Sequence, residues 1–154
     1  MAKVAIVSGS VSDSHLVAVV EENLDRFGIM HEASVISAHR MPERLREFTI
    51  GAASEGFDMI IAIAGLAAHL PGVIASMTAL PVVGVPAEGG PLNGVDALLS
   101  MVQMPGSTPV ATMAIGKNGA KNAAIFAARV FALSDTKIAK KLDEYREFLS
   151  NGGR

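Results

Sequence analysis

Cysteine and tryptophan are absent from this 154-residue chain, and tyrosine occurs once. Without a thiol there is no disulfide, no thiolate nucleophile and no cysteine-ligated zinc, which fits a cytoplasmic protein. Charge is sparse as well, at 18% Asp, Glu, Lys and Arg, and nearly balanced at a formal net charge of −2. Such a chain offers no broad basic face, so a nucleic-acid backbone is not an expected partner. From Met59 to Ala87 there is no Asp, Glu, Lys or Arg at all, a stretch long enough to span a bilayer on length alone. His69, Pro71, Pro81 and Pro86, with Gly65 and Gly72, interrupt it. A buried strand, a helix and another buried strand are therefore expected there, and no membrane span. The opening MAKVAIVSGS has too short an apolar run for a signal peptide.

What is plentiful is apolar side chain, at 50% of residues. That is rich for a small monomer and points to surface buried between subunits. Short β-type runs recur at 4–7, 31–36, 59–63, 82–85 and 110–114, and those that are apolar without alternating, such as 4–7 and 59–63, are what parallel strands covered on both faces require. Between them lie helical patterns. The first has Ser12 as its expected cap, Leu16, Val20, Leu24 and Phe27 on one face, and Gly28 as its left-handed stop. The second opens at Pro42, turns Leu45, Phe48 and Ala52 inward, and meets Gly56. Further helices are expected over 69–79, 92–103 and 118–132. The strict alternation predicts an α/β fold, an open doubly wound parallel sheet of five strands between two helix layers. This places a catalytic domain at 1–133. The remaining segment, 134–154, carries Ile138, Leu142, Tyr145 and Phe148 at helical spacing, and packs either on its own domain or on a neighbour.

In open α/β sheets ligands bind beyond the carboxyl ends of the strands. The loops delivered there read SGSVSD at 8–13, SAHR at 37–40, AGLAAHLPG at 64–72 and PAEGGPLNG at 86–94. The first turn suits an anion or ribose, with Gly9 allowing close approach and Ser10 and Ser12 offering hydroxyls; a plain helix cap explains the same residues. Arg40 beside it suits a bidentate phosphate contact, or else a salt bridge to Glu43 or Glu47. His39 is the side chain of its loop able to exchange a proton near neutral pH, and a structural histidine is the alternative. The third loop is small and apolar apart from His69, a wall suited to a small uncharged molecule kept from water. His15 and His31 show no metal-ligand spacing with the other two histidines, so no metal site is expected. A flavin binder would want an aromatic residue in these loops, and they hold none. A phosphoacceptor domain would want an Asp where Ala64 and Gly65 stand; Asp58 is at the wrong end of that strand.

The motifs GSVSD, VISAHRMPERL, AGLAAHLPG, LPVVGVP, PLNGVDALLSMVQMP and GAKNAAIFAARV resemble those of the N5-carboxyaminoimidazole ribonucleotide mutases of purine biosynthesis. The resemblance runs from residue 4 to about 133. It implies flavodoxin-like subunits forming an octamer, with no metal or other cofactor, and a final helix that reaches a neighbouring subunit. It further implies that Ser10, Asp13 and Arg40 bind the ribose phosphate end of a nucleotide, with Ser12 and Ser37 nearby. His39 takes the role of general acid and base, while His69 and its apolar loop enclose the imidazole and the migrating carboxyl group. Gly9, Ala38, Gly65, Leu66, Ala67 and Leu70 complete the implied substrate contacts. The substrate would come from a separate ATP-dependent synthetase. Two positions depart from the family's bacterial pattern, since Ile63 and Leu66 stand where glycines are usual. A second branch of the family carboxylates aminoimidazole ribonucleotide directly with carbon dioxide, and is the alternative activity; its members usually carry lysine where Arg40 stands and lack the His69 equivalent.

Overall fold

The computed structural model describes residues 1–153. Five strands form one parallel sheet: β1 (Lys3–Ser8), β2 (Met30–Val35), β3 (Met59–Ala64), β4 (Val82–Pro86) and β5 (Ala111–Thr112), in the order β2-β1-β3-β4-β5. That is the flavodoxin-like order, in which the chain first winds one way from β1 to β2 and then the other way through β3, β4 and β5. The helices are α1 (Ser14–Phe27), α2 (Pro42–Gly51), α3 (Leu70–Ala75), α4 (Val95–Val102), α5 (Lys117–Phe131) and α6 (Thr136–Ser150).

Strand residues alternate between the faces, and both faces are covered. Val4, Ile6, Ile61, Ile63 and Val83 pack with α1, α5 and α6, while Ala5, Val7, Ile60 and Ala62 pack with α2, α3 and α4. This two-sided burial explains why β3 is buried at every position and reads as an unbroken apolar run. The edge strand β2 is largely exposed, and its sequence is correspondingly mixed. On α5 the buried face is alanine, with Ala120, Ala123, Ala124, Ala127 and Ala128 fully buried, so it can lie close to α1 and the sheet. The charge-free stretch resolves into β3, α3 and β4, and among the described residues no helix is long and apolar enough to cross a membrane.

Local chemistry accounts for the departures from the sequence pattern. Ser12 is not the cap of the first helix. Ser10 accepts the Ser12 backbone N–H at 3.2 Å and caps a 3-10 turn over Val11–Asp13, and α1 begins only at Ser14. The Gly28 stop is left-handed as expected, at φ 70°. Helix α4 starts later than its apolar pattern because Asn93 and Gly94 both take positive φ, at 50° and 85°. Strand β5 keeps only Ala111 and Thr112 of its expected run. Phe48 is half-buried, whereas Leu45 and Ala52 are in the core.

Helix α6 lies on α1 and α5 of its own chain. Ile138 and Tyr145 are buried there, and Tyr145 meets Phe27 edge to face at 5.6 Å between ring centroids. Phe148 and Leu149, one turn on, remain 45% and 41% exposed, so α6 offers a second, uncovered apolar edge.

Candidate active site

Parallel pairing brings the strand ends level. Ser8 pairs with Val35 on one side and Ile63 on the other, and Ala64 pairs with Pro86. The loops that follow β1, β2, β3 and β4 therefore open together at the point where the winding reverses, the usual ligand position in such a sheet. They enclose a cleft of about 720 Å³.

The loop after β1 contributes Gly9, Ser10, Ser12 and Asp13 to the wall. Ser12 donates its hydroxyl to Ser10 Oγ at 2.9 Å, which ties the two hydroxyls into one polar edge. Asp13 is 9% exposed, and burial raises its carboxyl above the usual carboxylate range. The charge of His15 and a hydrogen bond from the Ser10 backbone pull in the opposite direction but do not cancel it.

The loop after β2 contributes Ser37, Ala38, His39 and Arg40. It is a tight turn, closed by Met41 N–H donating to the Ser37 carbonyl at 2.8 Å, so the strand ends by presenting His39 and Arg40 together. Ser37 is buried, and its hydroxyl accepts both the Arg40 backbone N–H and its Nε, each at 3.3 Å. Arg40 Nη2 donates to the Gly9 carbonyl at 3.4 Å. The guanidinium is thus held between two loops, with no ion pair to Glu43 or Glu47 among the described residues.

Gly65, Leu66, Ala67, His69 and Leu70 reach the cleft from the loop after β3. His69 Nδ1 stands 2.8 Å from His39 Nε2, with the rings nearly perpendicular at 82°. One ring must donate and the other accept, so the pair can hold one shared proton, and a second would break the bond. Ile63 turns the other way, into the core beneath α1 and α5, and does not line the cleft. Leu66 does, in a left-handed backbone conformation at φ 54°. That conformation costs a residue with a Cβ about 1–2 kcal/mol, which gives a physical reason for a glycine there.

Ala64, Ala68, Ala87, Glu88, Gly89 and Gly90 also line the cleft; they lie within the quoted loops at 64–72 and 86–94 but were not picked out as site residues. The paired glycines after β4 were the available signal for the last of these. Glu88 directs its carboxylate toward Gly116, just ahead of the α5 N-terminus. A Cβ on Gly116 would stand 2.9 Å from Glu88 Oε2, and the helix end favours the negative charge. Among the described residues no group of three or more His, Cys, Asp or Glu could hold a metal.

The fold and the cleft define a class: a flavodoxin-like α/β protein whose cleft carries hydroxyls and a guanidinium on the loops after β1 and β2, and a hydrogen-bonded histidine pair that joins the loops after β2 and β3. Within that class the chain belongs to the AIR carboxylase family, whose model matches residues 3–151. It is 53% identical to the N5-carboxyaminoimidazole ribonucleotide mutase of Brucella melitensis over 94% of this chain and 89% of that protein. The mutase of Thermotoga maritima is 50% identical over 96% of this chain and 85% of that protein. The Escherichia coli K12 mutase is 47% identical, over 95% and 86%. Among solved structures, PurE of Treponema denticola superposes with a TM-score of 0.87 at 28% identity, covering 99% of this chain and 94% of that one.

Proposed function

We propose that this protein is an N5-carboxyaminoimidazole ribonucleotide mutase of purine biosynthesis, moving a carboxyl group from the exocyclic nitrogen to ring C4. The observation that carries the reading is the His39–His69 pair at 2.8 Å, set among small apolar residues in a chain about half identical to mutases over nearly its full length. The ribose phosphate lies against Ser10, Ser12, Asp13, Ser37 and Arg40, remote from the reacting atoms, and positions the ring. Gly9, Ala38, Gly65, Ala67 and Leu70 line the space the nucleotide fills.

The chemistry conserves protons. His39 donates one to the carbamate nitrogen as its bond to the carboxyl carbon breaks and carbon dioxide departs. The electron-rich C4 then attacks the carbon dioxide held beside it, forming the new carbon–carbon bond. C4 still bears its hydrogen, and the now neutral His39 removes that proton to restore aromaticity. Donor and acceptor are one residue, and the cycle returns it to its starting state. His69 holds the ring of His39 through both steps and shares its proton. Retaining the carbon dioxide replaces a bimolecular encounter by a local one, so this step needs no ATP. The carbamate itself must be supplied by a carboxylating, ATP-using synthetase.

The protein acts as a cytoplasmic homo-oligomer, an octamer in this reading. Supporting surface is at hand: Val95, Leu99 and Val102 on α4 are each about half exposed, and Leu133 is 88% exposed just before α6. Domain 1–133 carries the chemistry, and α6, through Phe148 and Leu149, adds to a subunit contact.

The test supplies purified protein with either the carbamate or aminoimidazole ribonucleotide plus bicarbonate, and follows the C4-carboxylated product. Conversion of the carbamate faster than its spontaneous decay can feed is expected. In His39→Asn, kcat should fall about 10²- to 10⁴-fold, the span of acid–base contributions, with nucleotide affinity little changed. Full turnover in that variant, or use of the free amine alone, overturns the reading.

A further inference from the structure

A second cavity, a groove of about 490 Å³, lies between α5 and α6 and shares no residue with the cleft. The short turn after α5 sends α6 back along it. Lys121 and Arg146, about equally far from that turn, stand on opposite walls, and Arg129 lies further along α5, about 12 Å from Lys121 by the rise of an α-helix. No Asp or Glu lines the groove. Lys121 and Arg129 make no ion pair among the described residues, and the one carboxylate on Arg146 is the exposed Asp143 of its own helix, at 3.4 Å. Three cations facing one groove, in a chain of net charge −2, mark a place for an anion. Tyr145 adds a donor. It is 6% exposed, its ring is held edge to face against Phe27 at 5.6 Å, and its hydroxyl makes no hydrogen bond among the described residues. No polar side-chain atom there is sealed without a partner, so the hydroxyl opens outward, into the space that Tyr145 lines.

Between the cations the groove is apolar, with Ile125 and Leu142 on its walls and Phe126 37% exposed at its rim. An inorganic anion would leave that surface uncovered, whereas an anion carrying a planar ring covers it, stacked on Phe126 with the Arg129 guanidinium beside it. We propose that the groove is a second ligand site, separate from the cleft, for a nucleoside monophosphate. The phosphate lies between Lys121 and Arg146 and accepts the Tyr145 hydroxyl, and the base lies over Phe126 toward Arg129. The site does not depend on the mutase reading above.

The test is isothermal titration of adenosine 5′-monophosphate into Arg40→Ala protein, in which the cleft has lost its guanidinium. One saturable site per chain is expected. Lys121→Ala and Arg146→Ala, each made in that background, should weaken binding about tenfold, and Phe126→Ala by a similar factor. Tyr145→Phe keeps the ring against Phe27 and removes only the hydroxyl. It should weaken binding about threefold or more without lowering the melting temperature, which a merely structural tyrosine would not do. Adenosine alone and inorganic phosphate alone should each bind at least about tenfold more weakly than the nucleotide. Inorganic phosphate binding as tightly as the nucleotide reduces the groove to a basic patch and overturns the proposal. Binding that the groove variants leave unchanged places the nucleotide elsewhere and overturns it too. Absence of saturable binding also overturns it, and cross-links between the α6 helices of two chains would then show the groove to be a subunit contact.

Discussion

Replacing Arg40 by lysine keeps a positive charge on the cleft wall and removes the fork. Nε donates to Ser37 Oγ at 3.3 Å and Nη2 to the Gly9 carbonyl at 3.4 Å. Both bonds are long and the side chain is exposed, so their contribution to folding is small, and the melting temperature should shift by no more than about 2 °C. The Nη1 hydrogens and the second Nη2 hydrogen remain for a phosphate. A hydrogen bond to a charged group contributes about 1.5–3 kcal/mol, and exposure to solvent favours the lower end. Lysine supplies one such contact where the fork supplies two, so Arg40→Lys should weaken nucleotide binding by about 1.5 kcal/mol, roughly tenfold. Arg40→Ala loses both contacts, about 3 kcal/mol, and should bind more than about 100-fold more weakly. Isothermal titration with the product nucleotide reads both values directly. If Arg40→Ala binds within about threefold of the wild type, the guanidinium only ties two loops together, and the phosphate lies elsewhere.

Asp13 has a carboxyl raised by burial, so the unfolded chain ionises it first. Below the unfolded value of 3.8 it costs nothing; as pH rises from there to the raised folded value, stability is lost, and above that the penalty is constant. Asp13→Asn should therefore gain stability over the wild type across the acid range and keep a constant advantage at neutral pH, in urea titrations at several pH values, while binding nucleotide less well. An equal stability difference at every pH would refute the assignment. Leu66→Gly should leave stability within about 1 kcal/mol, because relief of the left-handed strain offsets the lost partial burial and the added chain entropy; a thermal scan checks this. Gly119→Ala should fail to fold or lose about 4 kcal/mol or more, since its Cβ would overlap the Ala114 carbonyl oxygen at the start of α5; circular dichroism with urea decides it.

Several elements were legible because their pattern is local. Periodic Leu16, Val20, Leu24 and Phe27 before Gly28 specify α1 without reference to the rest of the molecule, and all four are buried. The unbroken run of β3 required cover on both faces, which the two helix layers supply. Boundaries were less legible. Ser12 and Ser10 are both good capping residues, and only the backbone path chose Ser10, whose φ of −151° leaves its hydroxyl facing the next turn. The departure at Ile63 looked equivalent to that at Leu66 in the sequence. The period-2 geometry of β3 sent one into the core and left the other, beyond the strand end, on the cleft.

The chain's order of residues by itself determined the α/β alternation, the position of polar loops at one end of the sheet, and the identity of the residues that reach them. Those depend on contacts within a turn or a strand, which neighbouring residues dictate. Tertiary structure alone decided which side chains of those loops meet. His39 and His69 are 30 positions apart and come to 2.8 Å only because β1 inserts between β2 and β3 and brings their ends level. Glu88 and Gly90 entered the cleft for the same reason, since pairing of Ala64 with Pro86 carries the next loop alongside. The physical cause is that sheet order and register are global properties, set by where every helix can bury its apolar face at once.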